Sequence, residues 1–132
     1  MGFGNYLKQA VLSHAFGISV MTPPAALYVA LMSVEPADDN TGGTELAGTG
    51  YARVACGAWV YDAALHGVKN VADILFPVVG ANDWTVANAG AVFDASSGGQ
   101  LVGHAALSPT ISGSLSEQIK IPAGALVIRF NP

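Results

Sequence analysis

Two apolar runs joined by a turn-forming cluster decide the fold: Val86–Phe93 (VANAGAVF), Ser96–Gly99 (SSGG) and Gln100–Leu107 (QLVGHAAL). Each run has the length of a strand, and Ser and Gly supply the backbone angles and local hydrogen bonds of tight turns. The same alternation recurs along the chain, for example at Asp38–Gly43 (DDNTGG). Polar residues therefore fall where turns are needed, which indicates a structural or binding module made of short strands.

The composition is that of one domain with few charges. The chain has 132 residues, of which 52% are hydrophobic and 11% are charged. Its mean hydropathy is +0.46, so apolar side chains must remain on the surface, where large patches usually mark protein contacts. The net charge of -4, with 5 scattered basic residues, argues against a nucleic-acid partner. We expect a single domain over residues 1–132 that self-associates as a homodimer or homotrimer.

The N-terminal segment predicts one short helix, over about residues 4–16. Gly17 is placed to end it, because glycine is the usual residue just beyond a helix. The helix would dock its apolar stripe on the fold or on a partner, which makes Tyr6 a candidate for partner contact. The residues of the stripe follow the three-and-four spacing of a helix face: Phe3, Tyr6, Leu7, Ala10, Val11 and Ala15.

The segment Gln9–Val34 has no Lys, Arg, Asp or Glu and needs to be distinguished from a membrane span or signal peptide. Thr22–Pro24 interrupts it with two adjacent prolines, which would leave helical backbone groups without partners in a bilayer. Lys8 precedes a polar stretch that contains His14, rather than the compact apolar core of a signal peptide. We expect no membrane partner and no cleaved leader.

The remainder of the chain predicts strands from about residue 25 onward. The run at residues 27–32 is apolar on both faces, as expected of a central strand. After a polar loop at residues 35–50, seven or eight short strands spaced by turns indicate a mainly β, jelly-roll-like β-sandwich. Besides the two strands quoted first, the predicted strands are Tyr51–Cys56, Trp59–Tyr61, Val71–Phe76 closed by Pro77, Glu117–Ile121 and Ala125–Phe130.

The chain offers little for metal binding. Asp38–Gly43 places Asp, Asn and Gly as at the start of a calcium loop, but Thr49 stands where a bidentate Glu would close the shell. A solvated acidic turn is the favoured interpretation, and a non-standard calcium site using Glu35, Asp38 or Glu45 stays open. The three histidines, His14, His66 and His104, lack zinc-ligand spacing and are expected to be surface or packing residues.

Catalytic motifs are equally weak. Neither a nucleophile-elbow serine motif nor a phosphate-binding glycine loop is present. Cys56 has no second cysteine to pair with, and a small buried hydrophobe is its simplest role. The sequence thus predicts a protein that is not an enzyme and has no cofactor.

Arg53 lies inside a strand-like run with few charged neighbours, where it would be costly to bury unpaired. Glu45 is its nearest acidic residue upstream, across a glycine-rich turn that would allow the chain to fold back. A structural ion pair between these two residues is the favoured interpretation, with partner contact or plain exposure as alternatives.

Three further aromatic residues are candidates for contact with a partner. Trp59, Tyr61 and Trp84 would together supply a platform for a sugar or a protein, since aromatic side chains offer large rigid contact area. Packing in the core or against turns is the favoured alternative for all three.

The order of short motifs along the chain resembles the family of small virion proteins of tailed bacteriophages, labelled either capsid decoration (cement) proteins or tail fibre proteins. The resemblance spans almost the whole chain. The motifs that carry it are Asn5–Leu7 (NYL), Leu27–Leu31 (LYVAL), Gly43–Leu46 (GTEL), Gly50–Val54 (GYARV), Phe76–Pro77 (FP), Phe93–Gly99 (FDASSGG) and Ile121–Leu126 (IPAGAL).

The resemblance implies a jelly-roll-like β fold with an N-terminal helix, no enzymatic activity and no cofactor. It implies an oligomer made in the bacterial host cytoplasm and bound to the outer capsid surface, with the major capsid protein as partner. Such a protein would stabilise the assembled shell by mass action and avidity. A tail or fibre component is the first alternative, and a carbohydrate-binding jelly roll is the second.

Overall fold

The computed structural model describes residues 2–80, 83–114 and 116–129, and within them the chain forms one helix and eleven strands. In chain order these elements are β1 (Gly2–Phe3), α1 (Asn5–Ala15), β2 (Leu27–Val34), β3 (Thr44–Glu45), β4 (Val54–Cys56), β5 (Trp59–Asp62), β6 (Gly67–Asn70), β7 (Ile74–Val78), β8 (Trp84–Phe93), β9 (Leu101–Gly113), β10 (Gln118–Ile121) and β11 (Val127–Arg129).

Three antiparallel sheets make up the fold. The largest has the strand order β1-β9-β8-β2-β3, and β4 also pairs with β2. A second sheet pairs β10 with β7, and a third has the order β11-β6-β5. Within the described residues no sheet closes into a barrel. The mainly β class with one N-terminal helix is confirmed, whereas jelly-roll connectivity is not; a single domain over residues 1–132 stays a prediction.

The segment Val86–Leu107 forms most of the hairpin of β8 and β9, at the centre of the largest sheet. β8 pairs with β9 on one side and with β2 on the other. Gly98 and Gly99 turn the chain with φ of 64° and 79°, a region that glycine enters without steric cost. The Asp94 side chain closes the turn by accepting a hydrogen bond from the Gln100 amide at 2.7 Å.

The core lies between the largest sheet and the two smaller ones. Small residues in the hairpin leave room for the side chains that cross from the small sheets: a Cβ at Gly90 would touch Leu126, and one at Gly103 would overlap Ile128. The largest fully buried side chains are Phe76, Leu31, Leu101, Ile121, Leu126, Val29, Val92 and Asn70.

Several predicted boundaries are wrong, for local reasons. Pro77 lies inside β7, although it was expected to close that strand. It is tolerated because β7 pairs only with β10 within the described sheets, and the register slips between Gln118 and Lys120, opposite the proline. The polar strand β6 was not predicted, because its residues lack apolar alternation. Phe130, the last residue of the final predicted strand, lies outside the described residues.

The helix ends as predicted. Gly17 has φ of 72°, and its amide and that of Ile18 donate to the carbonyls of His14 and Ser13. These two bonds form the Schellman motif, which satisfies carbonyl groups left free at a helix end. The following segment is thereby held in a defined turn.

Candidate interaction surface

Arg53 is the centre of a polar cluster that ties three segments together. Its Nε and Nη2 donate to the two carboxylate oxygens of Glu45, each at 3.0 Å. Its Nη1 donates to the carbonyls of Ala95 and Gly98 in the β8–β9 turn, at 2.9 and 2.8 Å. The guanidinium carbon also lies 3.9 Å from the ring centroid of Phe93, within cation–π range. The structure brings Arg53 and Glu45 together, with the arginine side chain 8% exposed.

Tyr51 extends this cluster into the largest sheet. Its hydroxyl donates to Glu45 Oε2 at 2.6 Å and accepts from the Leu31 amide of β2 at 3.0 Å. Burial, followed by the hydrogen bond to Glu45, raises the pKa of the Tyr51 phenol. The Glu45 carboxylate is therefore bound by two side chains of the same molecule, Tyr51 and Arg53. The cluster holds β2, β3 and the β8–β9 turn in position.

His104 is the centre of a second polar cluster, on the opposite side of β9 from Ala105. The buried imidazole contacts Glu35 Oε2 through Nδ1 at 2.6 Å and Asp38 Oδ1 through Nε2 at 2.7 Å. Both ring nitrogens of His104 therefore have a carboxylate oxygen within hydrogen-bond distance. The other Asp38 oxygen accepts from Lys8 of α1, so the cluster connects the helix, the 35–43 loop and β9.

The 35–43 loop, which we call the acidic loop, is thus bound through Asp38 by the side chains of Lys8 and His104. The hydrogen bond from Lys8 and then that from His104 hold the pKa of Asp38 below its ordinary value. No three His, Cys, Asp or Glu side chains among the described residues are grouped so that they would hold a metal ion. The role of His104 was not predictable from the sequence, because its two partners lie 69 and 66 residues away along the chain.

The aromatic candidates are dispersed. Trp84 is 4% exposed, and its indole donates to the Thr49 carbonyl at 2.9 Å, so its burial removes it from the candidates for partner contact. Tyr61 is 59% exposed on β5. Tyr6 is 39% exposed and lines a small cavity that Asp39 and other residues of the acidic loop also line. Because Trp84 is in the core, Trp59, Tyr61 and Trp84 do not form a common platform.

The most exposed apolar side chains lie at the N-terminal end of the chain. Helix α1 contacts β9 but contains no buried residue. Directly after it, Phe16, Ile18 and Val20 have exposed fractions of 78%, 77% and 84%. We call residues 16–20 the apolar turn. The expectation that the helix docks on the fold or on a partner, and is needed there, stays a prediction.

Next to this turn along the chain lies an apolar cavity of about 270 Å³. Trp59 lines it, and the Trp59 indole nitrogen is buried with no hydrogen-bond partner among the described residues. All of the lining residues are apolar: Phe3, Leu7, Met21, Pro24, Leu27, Trp59, Val68, Val92, Val102 and Ile128. An apolar cavity beside exposed apolar side chains makes this end of the molecule the candidate interaction surface.

The helical part of the described chain is too short to cross a bilayer, since α1 is the only helix found there and has 11 residues.

Comparison with known proteins identifies the family. Residues 2–129 match the model of the family described as Podophage GP4 fiber I protein gp80. No curated protein matches the chain. The family description names a fibre protein, so the expectation of a capsid decoration protein on the capsid surface is wrong, and the tail or fibre alternative is the one supported.

Proposed function

Because this chain belongs to the Podophage GP4 fiber I protein gp80 family, we propose that it works as a contact module that helps to build the fibre through protein–protein interfaces. As a member of this family it is a phage tail fibre protein, a structural component of the virion and not an enzyme. The match, which extends over residues 2–129, is the observation that carries the proposal.

The distribution of side chains supports a role in contacts. The polar side chains of the two clusters, Arg53 with Glu45 and His104 with Glu35 and Asp38, are engaged in internal bonds. The large hydrophobic side chains with the highest exposed fractions lie in the apolar turn at residues 16–20. Burying apolar surface stabilises an assembly by roughly 25 cal/mol for each Å² removed from water.

The two polar clusters hold separate segments of the chain in fixed relative positions, which favours docking. Arg53 joins β3 to the β8–β9 turn, and His104 joins α1 and the acidic loop to β9. A pre-ordered surface loses little conformational entropy when it docks, so more of its contact energy appears as affinity. The major capsid protein is not retained as a partner, because that expectation followed from the capsid role; self-association remains part of the proposal.

The proposal is tested on virions that lack the protein. We expect particles whose capsids release DNA at the same temperature as wild-type particles but which adsorb to host cells poorly. Adding back purified protein during assembly should restore adsorption, and electron microscopy with a labelled protein should place it on the tail. Normal adsorption together with heat-sensitive capsids would contradict the fibre role.

A further inference from the structure

Helix α1 and the segment that follows it pack loosely against the rest of the fold. The helix contacts β9, yet none of its residues is buried. Leu7 of the helix and Met21 and Pro24 of the following segment line the apolar cavity of about 270 Å³, together with residues of β8, β9 and β11. Apolar side chains that border a void lack the packing contacts on that side. Burial of apolar surface therefore contributes little to holding this segment in place.

The polar attachment of the helix depends on one residue, Asp38. Among the described residues, two hydrogen bonds join α1 to the chain from β2 onward, and both end on Asp38. The Lys8 ammonium donates to its carboxylate, and the Asn5 amide donates to its carbonyl at 2.7 Å. The buried His104 imidazole lies 2.7 Å from the other carboxylate oxygen and so positions Asp38. The Lys8 and Asp38 side chains are 40% and 41% exposed, and an ion pair so accessible to water is weak.

A paired strand lies at each end of this loosely packed segment. Before it, β1 pairs with β9, and the Gly4 amide donates to the Val102 carbonyl at 2.9 Å. After it, β2 pairs with β8 on one side and with β3 and β4 on the other. Within the segment, the Schellman bonds and a bond from the Met21 amide to His14 Nδ1 at 3.2 Å attach the following turn to the helix. Rotation at the two ends would therefore preserve both the internal bonds of the segment and the sheets.

We propose that residues 5–24 form a lid that is latched on Asp38 and opens as a unit while the three sheets stay folded. Opening uncovers the part of the cavity wall that the sheets contribute, including Val92 and Ile128, which are 1% and 2% exposed when the lid is closed. Segments with few buried apolar contacts open at free energies well below that of global unfolding. The lid is a property of the chain itself and does not depend on the proposed fibre role.

Native-state hydrogen exchange on the full chain measures the opening. After correction for intrinsic rates, we expect the hydrogen-bonded amides of α1 to exchange on the order of a hundredfold faster than those of β8 and β9. Their exchange should change little with urea below the unfolding transition, because opening the lid exposes little surface. If the α1 amides share the rate and urea dependence of β9, the helix opens only when the whole protein unfolds. If they show no protection, the helix is not docked, and either result overturns the lid.

A substitution in the latch tests the role of Asp38. Lys8→Met removes the ammonium group and keeps a similar helix propensity. We expect exchange of the α1 amides to become about two- to fivefold faster, as for the loss of an exposed ion pair, while the rates in β8 and β9 stay the same. Lys120→Met is the matched control, because Lys120 lies 3.9 Å from Asp73 outside the lid. An unchanged rate in α1, or an equal increase in the strands, would contradict the latch.

Thiol labelling distinguishes opening of the lid from fraying of a helix that stays in place. In a Cys56→Ser background, Val92→Cys puts a thiol in the buried cavity wall, and Ile128→Cys is a second probe of the same wall. Val29→Cys is the matched control, since Val29 is 0% exposed and does not line the cavity.

The rate of labelling follows the population of the open form. We therefore expect both wall thiols to react about tenfold or more faster than the control, and Lys8→Met to accelerate only the wall thiols. Equal rates at the wall and at Val29 would show that the helix does not uncover the cavity, which overturns the lid. These measurements use purified protein, so their failure would leave the virion adsorption result, and with it the fibre role, unaffected.

Discussion

Arg53 and Glu45 meet through two hydrogen bonds, from Nε to Oε2 and from Nη2 to Oε1, both 3.0 Å long. This bidentate geometry uses the planar fork of the guanidinium, which a lysine cannot reproduce. The remaining terminal nitrogen reaches two carbonyls of the β8–β9 turn. One side chain therefore determines how the hairpin turn sits relative to β3.

Arg53→Ala should destabilise the fold by about 3 kcal/mol, because it leaves Glu45 and two turn carbonyls without their donor. Arg53→Lys should recover only part of this loss. Lys120→Ala is the control, since Lys120 lies 3.9 Å from Asp73 and both side chains are about half exposed; its effect should be about 0.5 kcal/mol or less. Urea unfolding measures all three, and equal losses for Arg53→Ala and Lys120→Ala would contradict the structural role.

Stability should fall in acid because of Asp38. Lys8 and His104 lower the pKa of this carboxyl in the folded state, whereas the unfolded value is about 3.9. The stabilisation is therefore present above about pH 4 and is lost as the pH falls through the lower folded pKa. Asp38→Asn should be less stable than the wild type at pH 6, and the difference should shrink toward pH 2.

Unfolding midpoints measured across this pH range test the prediction. Lys8→Met removes the first cause of the shift, so it should reduce the pH dependence that Asp38 contributes. A difference between wild type and Asp38→Asn that stays constant from pH 6 to pH 2 would be incompatible with the lowered pKa.

Gly48 should not tolerate alanine. A Cβ at this position would overlap the indole of Trp84, which is buried and bonded to Thr49, so the ring cannot move away freely. Overpacking of this kind costs about 1–3 kcal/mol. Gly57→Ala is the control, because nothing lies within 4 Å of a Cβ there. Thermal unfolding of the two variants should differ clearly, and similar melting temperatures would refute the packing argument.

Cys56 should react slowly with thiol reagents. Burial raises the pKa of its thiol, and only the thiolate is the nucleophile. At pH 8 the rate of reaction with a disulfide reagent should be well below that of the same protein in denaturant. If folded and unfolded protein reacted equally fast, the thiol would not be protected by its partly buried site.

Local features of the fold were predictable from the sequence. The apolar run at residues 27–32 became the central part of β2, which pairs with strands on both sides. The helix boundary at Gly17 and the Ser96–Gly99 turn were also predictable, because each depends on the backbone preferences of a few adjacent residues. The β6 strand and the position of Pro77 were not, since pairing with distant strands decided both.

The sequence by itself determined the class of the protein: a mainly β chain with one N-terminal helix, an uncharged and apolar segment after that helix, and the order of motifs that indicates a phage virion protein. Tertiary structure alone decided which residues act together. It placed His104 between Glu35 and Asp38, buried Trp84, and gathered Phe3, Trp59 and Ile128 around one apolar cavity. Composition and periodicity report the preferences of neighbouring residues, whereas these contacts join residues far apart in the chain, whose proximity exists only once the sheets have packed.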